Sequence, residues 1–268
     1  MSLAGCSGSD AGSDAGSDAG ETERGGGQSG GGWTVLVYSI ADTDLEPFMI
    51  ADVAEMAEVG STGGLQIEAL VDRAADYSDE ELLNLPDWQG AKLLSVDPGE
   101  LIEEEDLGDV NTGDPAVLAD FVAKGIKDHP ADHYALIISD HGASWPGVGG
   151  DESSGGDGLD LAELSEGIGS GLEEGGLEKL DLLGFDACLM ANYEVATTLA
   201  PYADRFIASQ ELEPGHGWDY RSLELLADDP GTSVDDLGTR IIDDYKANAK
   251  ENGTESDITL AMIDLNQM

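Results

Sequence analysis

His141 and Cys188 are the two side chains in this sequence whose types and positions best suit covalent chemistry. His141 follows the apolar run ALIISD and Cys188 follows LDLLGFDA, so each is predicted to stand at the carboxyl end of a strand. Parallel strands of one sheet end at the same edge, where we expect the two side chains to meet. A thiolate needs a base or an electropositive site near neutral pH. His141 and the N-terminus of a helix predicted directly after Cys188 would supply both.

The alternative for Cys188 is a place in the core. Free cysteine is among the most buried residue types, and the surrounding FDACLM is apolar apart from its aspartate. Gly142, directly after His141, favours the catalytic interpretation because a glycine lets the backbone approach a ligand closely.

Strand and helix patterns alternate along the chain from Trp33 onward, which predicts an α/β fold. Helices are predicted between the strands, with Asp114 and the pair Asp160 and Glu163 as N-terminal caps. The region from 77 to 113 has no sustained period, and we expect an acidic insertion there with a short hairpin at 88–96. The sequence thus predicts a three-layer α/β/α sandwich around a mostly parallel six-stranded sheet, with strands at 33–40, 65–72, 133–142, 179–188, 204–211 and 257–265.

Residues 1–32 have a different composition, dominated by Gly, Ser, Ala and Asp, and are predicted to be a disordered tether. The sequence LAGC at 3–6 resembles the lipobox of prokaryotic lipoproteins, which implies lipidation of Cys6 and anchoring at the cell surface. The alternative is a plain disordered tail. Residues 33–268 are predicted to form one domain, and the chain stops just after its last strand, which predicts a fragment of a longer protein.

The charge is strongly negative, since 57 Asp and Glu stand against 11 Lys and Arg, a net charge of −46. Such a surface has no cationic face to displace counterions from phosphate, which excludes nucleic acid as a partner. Concentrated salt would screen the self-repulsion, so the composition favours a saline medium; the alternative is that the acidity serves solubility alone. Two cysteines, one of them in the tail, exclude a disulfide framework.

Five segments in order resemble the clostripain family of cysteine peptidases, from Trp33 to the end of the chain. The resemblance implies a caspase-like fold and cleavage of protein or peptide substrates after Arg or Lys. We also expect a monomer, located outside the cell or at its surface because of the tether and the lipobox-like sequence. An alternative is a non-catalytic surface module that keeps this fold for binding, and another is acyl transfer to an amine by the same dyad. The segments are WTVLVYSIADTDLEPFMIADVAEM, LIISDHGASW, GGDESSGGDGLDLAEL, LDLLGFDACLMANYEVA and FIASQELEPGHGWDY.

The same resemblance implies roles for individual residues. Cys188 and His141 correspond to the catalytic dyad, and the backbone N–H groups of Gly142 and Cys188 to the oxyanion hole. Asp186, two positions before the cysteine, would line the S1 pocket, which holds the side chain on the amino side of the scissile bond. A carboxylate there can pair with Arg or Lys. The alternative for Asp186 is to cap the following helix. We expect further side chains to border the pocket: Glu211, Glu213, Trp145 and Trp218.

No cofactor is expected, and no metal site is assigned. Family precedent raises calcium as a ligand of the acidic loop 151–160, but that loop lacks EF-hand spacing. The strongly acidic composition of the chain accounts equally well for the acids of the loop, which are Asp151, Glu152, Asp157 and Asp160. Members of the family are often cut after a basic residue between the catalytic His and Cys. Here residues 142–178 contain no Lys or Arg, and Lys179, the only basic residue in the interval, adjoins a strand that we expect to be buried. Two-chain maturation by self-cleavage is therefore not expected.

Overall fold

The computed structural model describes residues 31–268. Cys6 and all but the last two residues of the predicted tether therefore lie outside the described residues. Within that range eight strands form one sheet, and two short strands form a separate hairpin. The sheet contains β1 (Trp33–Ala41), β2 (Leu65–Arg73), β3 (Gly90–Asp97), β4 (Glu100–Gly108), β5 (His133–Ser139), β8 (Leu180–Asp186), β9 (Ala203–Ala208) and β10 (Ala261–Asp264). The hairpin consists of β6 (Val148–Asp151) and β7 (Asp157–Leu159).

The strands of the sheet lie in the order β10-β9-β8-β5-β1-β2-β3-β4. The five from β9 to β2 are parallel, whereas β10 at one edge and β3 and β4 at the other run antiparallel to their neighbours. All six predicted strands are present, and the sheet is mostly parallel at its centre. The predicted number of six was wrong, because β3 and β4 extend the sheet. A hairpin was expected at 88–96 within an acidic insertion; β3 overlaps that range, but its partner β4 lies in the acidic residues that follow. In β4 the residues from 102 to 106 are all exposed and mainly glutamate, so the strand shows no apolar alternation.

Helices cover both faces of the sheet, which confirms the predicted three layers. Side chains of β1 alternate between the two cores, with Leu36 and Tyr38 on one side and Val35 and Val37 on the other. One face packs on α2 (Pro115–Asp128), α3 (Leu161–Gly175) and α4 (Tyr193–Leu199). The opposite face packs on α1 (Glu46–Val59), α5 (Glu224–Asp228) and α6 (Val234–Asn252). None of the helices in the described range is long and apolar enough to cross a membrane.

The predicted helix caps are confirmed. The Asp114 side chain accepts a hydrogen bond from the Ala116 N–H at the start of α2. Asp160 and Glu163 form a reciprocal capping box at the start of α3. These bonds satisfy N–H groups that have no partner inside the helix, so each helix begins at a defined residue.

A buried ion pair joins α1 to the end of β2. Arg73 Nε lies 2.6 Å from Glu46 Oε1, and neither side chain is exposed to solvent. The guanidinium also donates to the Glu80 carbonyl and stacks over Trp88, with 4.8 Å to the ring centroid. Because α1 carries side chains that line the cavity described next, this pair fixes one wall of that cavity.

Candidate active site

His141 and Cys188 lie at the carboxyl edge of adjacent parallel strands. Ser139 of β5 and Asp186 of β8 are paired in register, and each candidate residue follows two positions later. Both line one cavity of about 220 Å³. Its remaining walls come from α1 and the segment before it, from the strand ends and from the loop after β9: Leu45, Met49, Asp52, Ser139, Asp140, Asp186, Ala187, Leu212, Glu213, Pro214, Gly215 and Gly217.

The imidazole and the thiol share this cavity without a hydrogen bond between them. His141 has about half of its side chain exposed (51%), and its Nε2 lies 2.7 Å from Asp44 Oδ1. Cys188 is partly buried, and its Sγ accepts a hydrogen bond of 3.2 Å from the Glu213 N–H. Catalytic hydrogen bonds are often long or absent before substrate binds, so this arrangement is compatible with a dyad.

The predicted helix after Cys188 is present as α4, but it begins later than expected. Residues 189–191 are irregular, and α4 begins at Tyr193 with Asn192 as its cap. Leu189 has a φ of 65°, which L residues rarely adopt, and its N–H bonds to the Glu211 carbonyl. The segment is therefore held by the loop after β9, and the thiol gains no helix N-terminus. The nearest donor to the sulfur is instead the N–H of Glu213, a role that sequence reasoning missed.

The backbones of Gly142 and Cys188 lie against each other, and neither N–H donates a hydrogen bond within residues 31–268. A side chain at Gly142 would place its Cβ 2.0 Å from the Cys188 carbonyl oxygen, so only glycine fits this contact. Gly142 lies opposite Val148 in an isolated antiparallel β-bridge. The two hydrogen bonds of this bridge are donated by the N–H groups of Ala143 and Gly149, so the N–H of Gly142 is not used in it. The Cys188 N–H likewise donates no hydrogen bond within the described part of the chain.

Asp186 lines the cavity and is nearly inaccessible to solvent, with 6% of its surface exposed. Its Oδ2 accepts 3.1 Å hydrogen bonds from the Trp218 N–H and the Tyr220 hydroxyl. Burial raises the pKa of Asp186 to about 6, although these two bonds oppose the shift. Asn192 caps the following helix, so the alternative helix-capping role for Asp186 is excluded.

Two further carboxylates share the cavity with Asp186. Asp52 of α1 is buried. Carboxylate oxygens of both Asp52 and Asp186 lie beside Gly217, where the Cβ of any larger residue would be within about 3.3 Å of each of them. Glu213 has both carboxylate oxygens buried, and neither has a hydrogen-bond partner among residues 31–268. Burial, and after it the charge of Asp186, raises the pKa of Asp52 and of Glu213 well above their ordinary values. A signal for Asp52 existed in the sequence, since it interrupts the apolar stripe of α1 between Met49 and Val53.

The other residues expected at the pocket are placed differently. Trp145 is 69% exposed and Glu211 is also exposed, and neither lines the cavity. Trp218 is buried against Gly184 of β8, beneath the cavity instead of at its rim. The Glu211 main chain nevertheless supports the site, because its carbonyl accepts the Leu189 N–H.

One group of three carboxylates within residues 31–268 could hold a metal ion, namely Asp42, Asp72 and Asp151. Only Asp151 comes from the acidic loop considered for calcium. Its Oδ2 accepts from the Thr112 N–H and hydroxyl, and its Oδ1 from Ser153 and Ser154. These donors already occupy oxygens that Ca²⁺ would need, since that ion takes six to eight oxygen ligands. The group therefore fits calcium only in part.

Comparisons with known proteins identify similar sequences and structures. In sequence, the chain is 28% identical over 221 residues to clostripain from Hathewaya histolytica. The match covers 71% of this chain and 41% of that protein, so this chain spans less than half the length of that relative. A secreted C11 cysteine protease from Bacteroides thetaiotaomicron, solved with an irreversible peptide inhibitor, superimposes with a TM-score of 0.71 at 21% identity, covering 88% of this chain and 67% of that one. An inactive zymogen C11 protease from Parabacteroides distasonis gives 0.64 at 19%, covering 88% and 62%.

The two structural comparisons confirm the caspase-like fold. The model of the clostripain family matches residues 37–268, which is most of the chain and includes every cavity residue described above. This protein therefore belongs to the clostripain family.

Proposed function

We propose that the chain is a cysteine endopeptidase that hydrolyses peptide bonds after Arg or Lys, with Cys188 as nucleophile and His141 as general acid and base. The observation that carries the proposal is that one cavity brings together the thiol, the imidazole and the buried carboxylate of Asp186. Family membership supports the reaction class.

The geometry supports a two-step reaction. His141 takes the proton of the Cys188 thiol, and the sulfur attacks the carbonyl carbon of the scissile bond. The negative charge that develops on the carbonyl oxygen meets the N–H groups of Gly142 and Cys188, which are unused within residues 31–268. His141 protonates the leaving amine as the C–N bond breaks, leaving a thioester. His141 then removes a proton from the water that hydrolyses this thioester, which restores the free thiol.

The basic preference rests on Asp186. No lysine or arginine lines the cavity, and Asp186 Oδ2 is held by two donors. A substrate guanidinium or ammonium entering beside the thiol would be drawn to this fixed carboxylate.

Hydrolysis of fluorogenic peptides ending in Arg or Lys tests the nucleophile. The assay is run in concentrated NaCl with the parent chain and Cys188→Ala, and we expect turnover only by the parent. Equal turnover by both would refute the role of Cys188. Asp186→Asn tests the specificity separately, since it should reduce kcat/KM for basic substrates far more than for neutral ones. A uniform loss would mean that Asp186 only orders the site.

Binding without turnover is the competing function, and the pairing of the imidazole with Asp44 instead of the thiol favours it. Alkylation of Cys188 by iodoacetamide separates the two. A peptidase thiol should react quickly near neutral pH and more slowly in His141→Ala, whereas a thiol that serves only packing should react slowly in both.

The remaining features complete the proposal. We propose that the protein acts as a monomer outside the cell in a saline medium, anchored through lipid on Cys6, and that the cysteine chemistry needs no cofactor. The composition of residues 1–32 supports the tether, and the net charge of −46 supports the saline medium. The hydrogen bonds that Asp151 accepts from Thr112 and Ser154 support activity without calcium. Mass spectrometry of the cell-derived protein tests the lipid, and turnover in excess EGTA tests calcium.

A further inference from the structure

Glu213 is a buried acid whose carboxylate has no partner in the structure. Both of its oxygens are inaccessible to solvent and make no hydrogen bond of good geometry among residues 31–268, although Asp186 and the Trp218 indole, whose own N–H is also unpaired, lie against them. A buried polar group left unpaired costs free energy, so such a group in a cavity calls for a ligand that would pair with it. The residue is also one wall of the cavity that contains Cys188.

The main chain of Glu213 lies against the sulfur of Cys188. Its N–H donates to Cys188 Sγ at 3.2 Å, and its carbonyl lies 3.9 Å from the same sulfur. The side chain therefore starts next to the nucleophile. A substrate side chain adjacent to the scissile bond must enter this same space.

The groups that face Glu213 come from the end of β8, from α6 and from the loop after β9, and are Asp186, Cys188, Trp218, Tyr220 and Tyr245. Asp52 of α1 and His216 face Asp186 in turn. Carboxylates that share one cavity raise one another's pKa, because each negative charge disfavours ionisation of the next. Burial and the charge of Asp186 raise the pKa of Glu213 well above its ordinary value, so Glu213 holds a proton more readily than an exposed glutamate does.

We propose that Glu213 is a specificity-determining residue that acts with Asp186 as a second carboxylate ligand of the basic substrate side chain, and that its proton is released to solvent when this cation binds. The inference rests on the proposed function and deepens it. One cation replaces one proton, so the net charge of the cavity stays the same. A guanidinium has five N–H donors in one plane and can reach both carboxylates together, whereas an ammonium is a point charge.

The first test compares an arginine substrate with its neutral isostere, citrulline. In Glu213→Gln we expect kcat/KM at pH 8 to fall about 10- to 100-fold for the arginine peptide, the value of a hydrogen bond to a charged group. The citrulline peptide should change less than about 3-fold, because its ureido group gains little from a charged carboxylate. Glu194→Gln, which removes an exposed carboxylate from α4, is the matched control. Equal losses for both peptides would overturn the proposal and show that Glu213 merely holds the thiol.

The second test needs no turnover, and so separates this inference from the proposed function. Agmatine, which carries the guanidinium alone, is titrated at pH 6.5 into Cys188→Ala by calorimetry in two buffers of different ionisation heat. We expect binding to release protons, and Glu213→Gln in the same background to bind roughly 10-fold more weakly and to release fewer protons. Unchanged affinity and proton release would overturn the proposal even if the parent cleaves arginine peptides. A parent that cleaves nothing but binds agmatine as described would refute the peptidase and keep the cation pocket.

Discussion

Replacing Asp72 with Asn should make the protein more stable at alkaline pH. Asp72 is the last residue but one of β2, and it is almost fully buried. Its Oδ2 lies within hydrogen-bond distance of the Thr112 hydroxyl oxygen, at 2.8 Å. Burial raises the pKa of Asp72 to about 8, with the charges of Asp151 and Asp42 adding to the shift. In the unfolded chain the same carboxyl ionises near its ordinary value of about 3.9.

The sign and size follow from these two values. Between pH 4 and 8 the folded state holds a proton that the unfolded state has lost, so stability falls as pH rises. From pH 5 to pH 8 this single group should lower the free energy of unfolding by about 3 kcal/mol, as an order of magnitude. Asn cannot ionise and has nearly the same shape, so Asp72→Asn should be close to neutral at pH 5 and stabilising by roughly that amount at pH 8.

Urea unfolding in 2 M NaCl at several pH values measures the effect, because the salt screens the general repulsion among surface carboxylates. Asp76→Asn removes the same charge from an exposed position in the following loop and serves as the control. If the parent and Asp72→Asn lose stability in parallel from pH 5 to 8, Asp72 is not the proton-holding group and the reasoning fails.

Three further predictions concern the buried ion pair, the oxyanion contact and salt. Arg73→Met should cost about 3–5 kcal/mol in urea unfolding by leaving Glu46 buried and unpaired, and a loss below about 1 kcal/mol would contradict this. Gly142→Ala should lower kcat/KM at least about 100-fold, since its Cβ would meet the Cys188 carbonyl oxygen at 2.0 Å; near-parental turnover would show that the contact is not needed. Raising NaCl from 0.1 to 2 M should raise the Tm by more than about 5 °C, because the net charge is −46; a constant Tm in a thermal scan would argue against repulsion as a limit on stability.

The sequence was sufficient to predict which elements bring His141 and Cys188 to the same edge of the sheet. Apolar runs bounded by polar residues placed His141 and Cys188 at strand ends, and the parallel topology then required a common edge. The caps at Asp114 and Asp160 were equally predictable, because they depend only on local spacing. These successes share a cause: each depends on a short-range pattern or on a general rule for parallel sheets.

What the sequence could not show depends on contacts between distant segments. Asp52, Asp186 and Glu213 come from a helix, a strand end and a loop, and their convergence follows from the tertiary fold alone. The irregular segment after Cys188 was missed because its apolar pattern fits a helix. Leu189 instead adopts a positive φ, supported by the loop after β9, and leucine gives no local signal for that conformation.

The glutamate-rich strand β4 has a consequence for how the molecule behaves at high concentration. It lies at one edge of the sheet, and its residues from 103 to 106 are exposed carboxylates in succession. Neighbouring strands lie about 4.8 Å apart, so a second copy adding to this edge through β4 would set two rows of like charges against each other. The acidic run that conceals β4 from strand prediction thereby also protects an open sheet edge from aggregation.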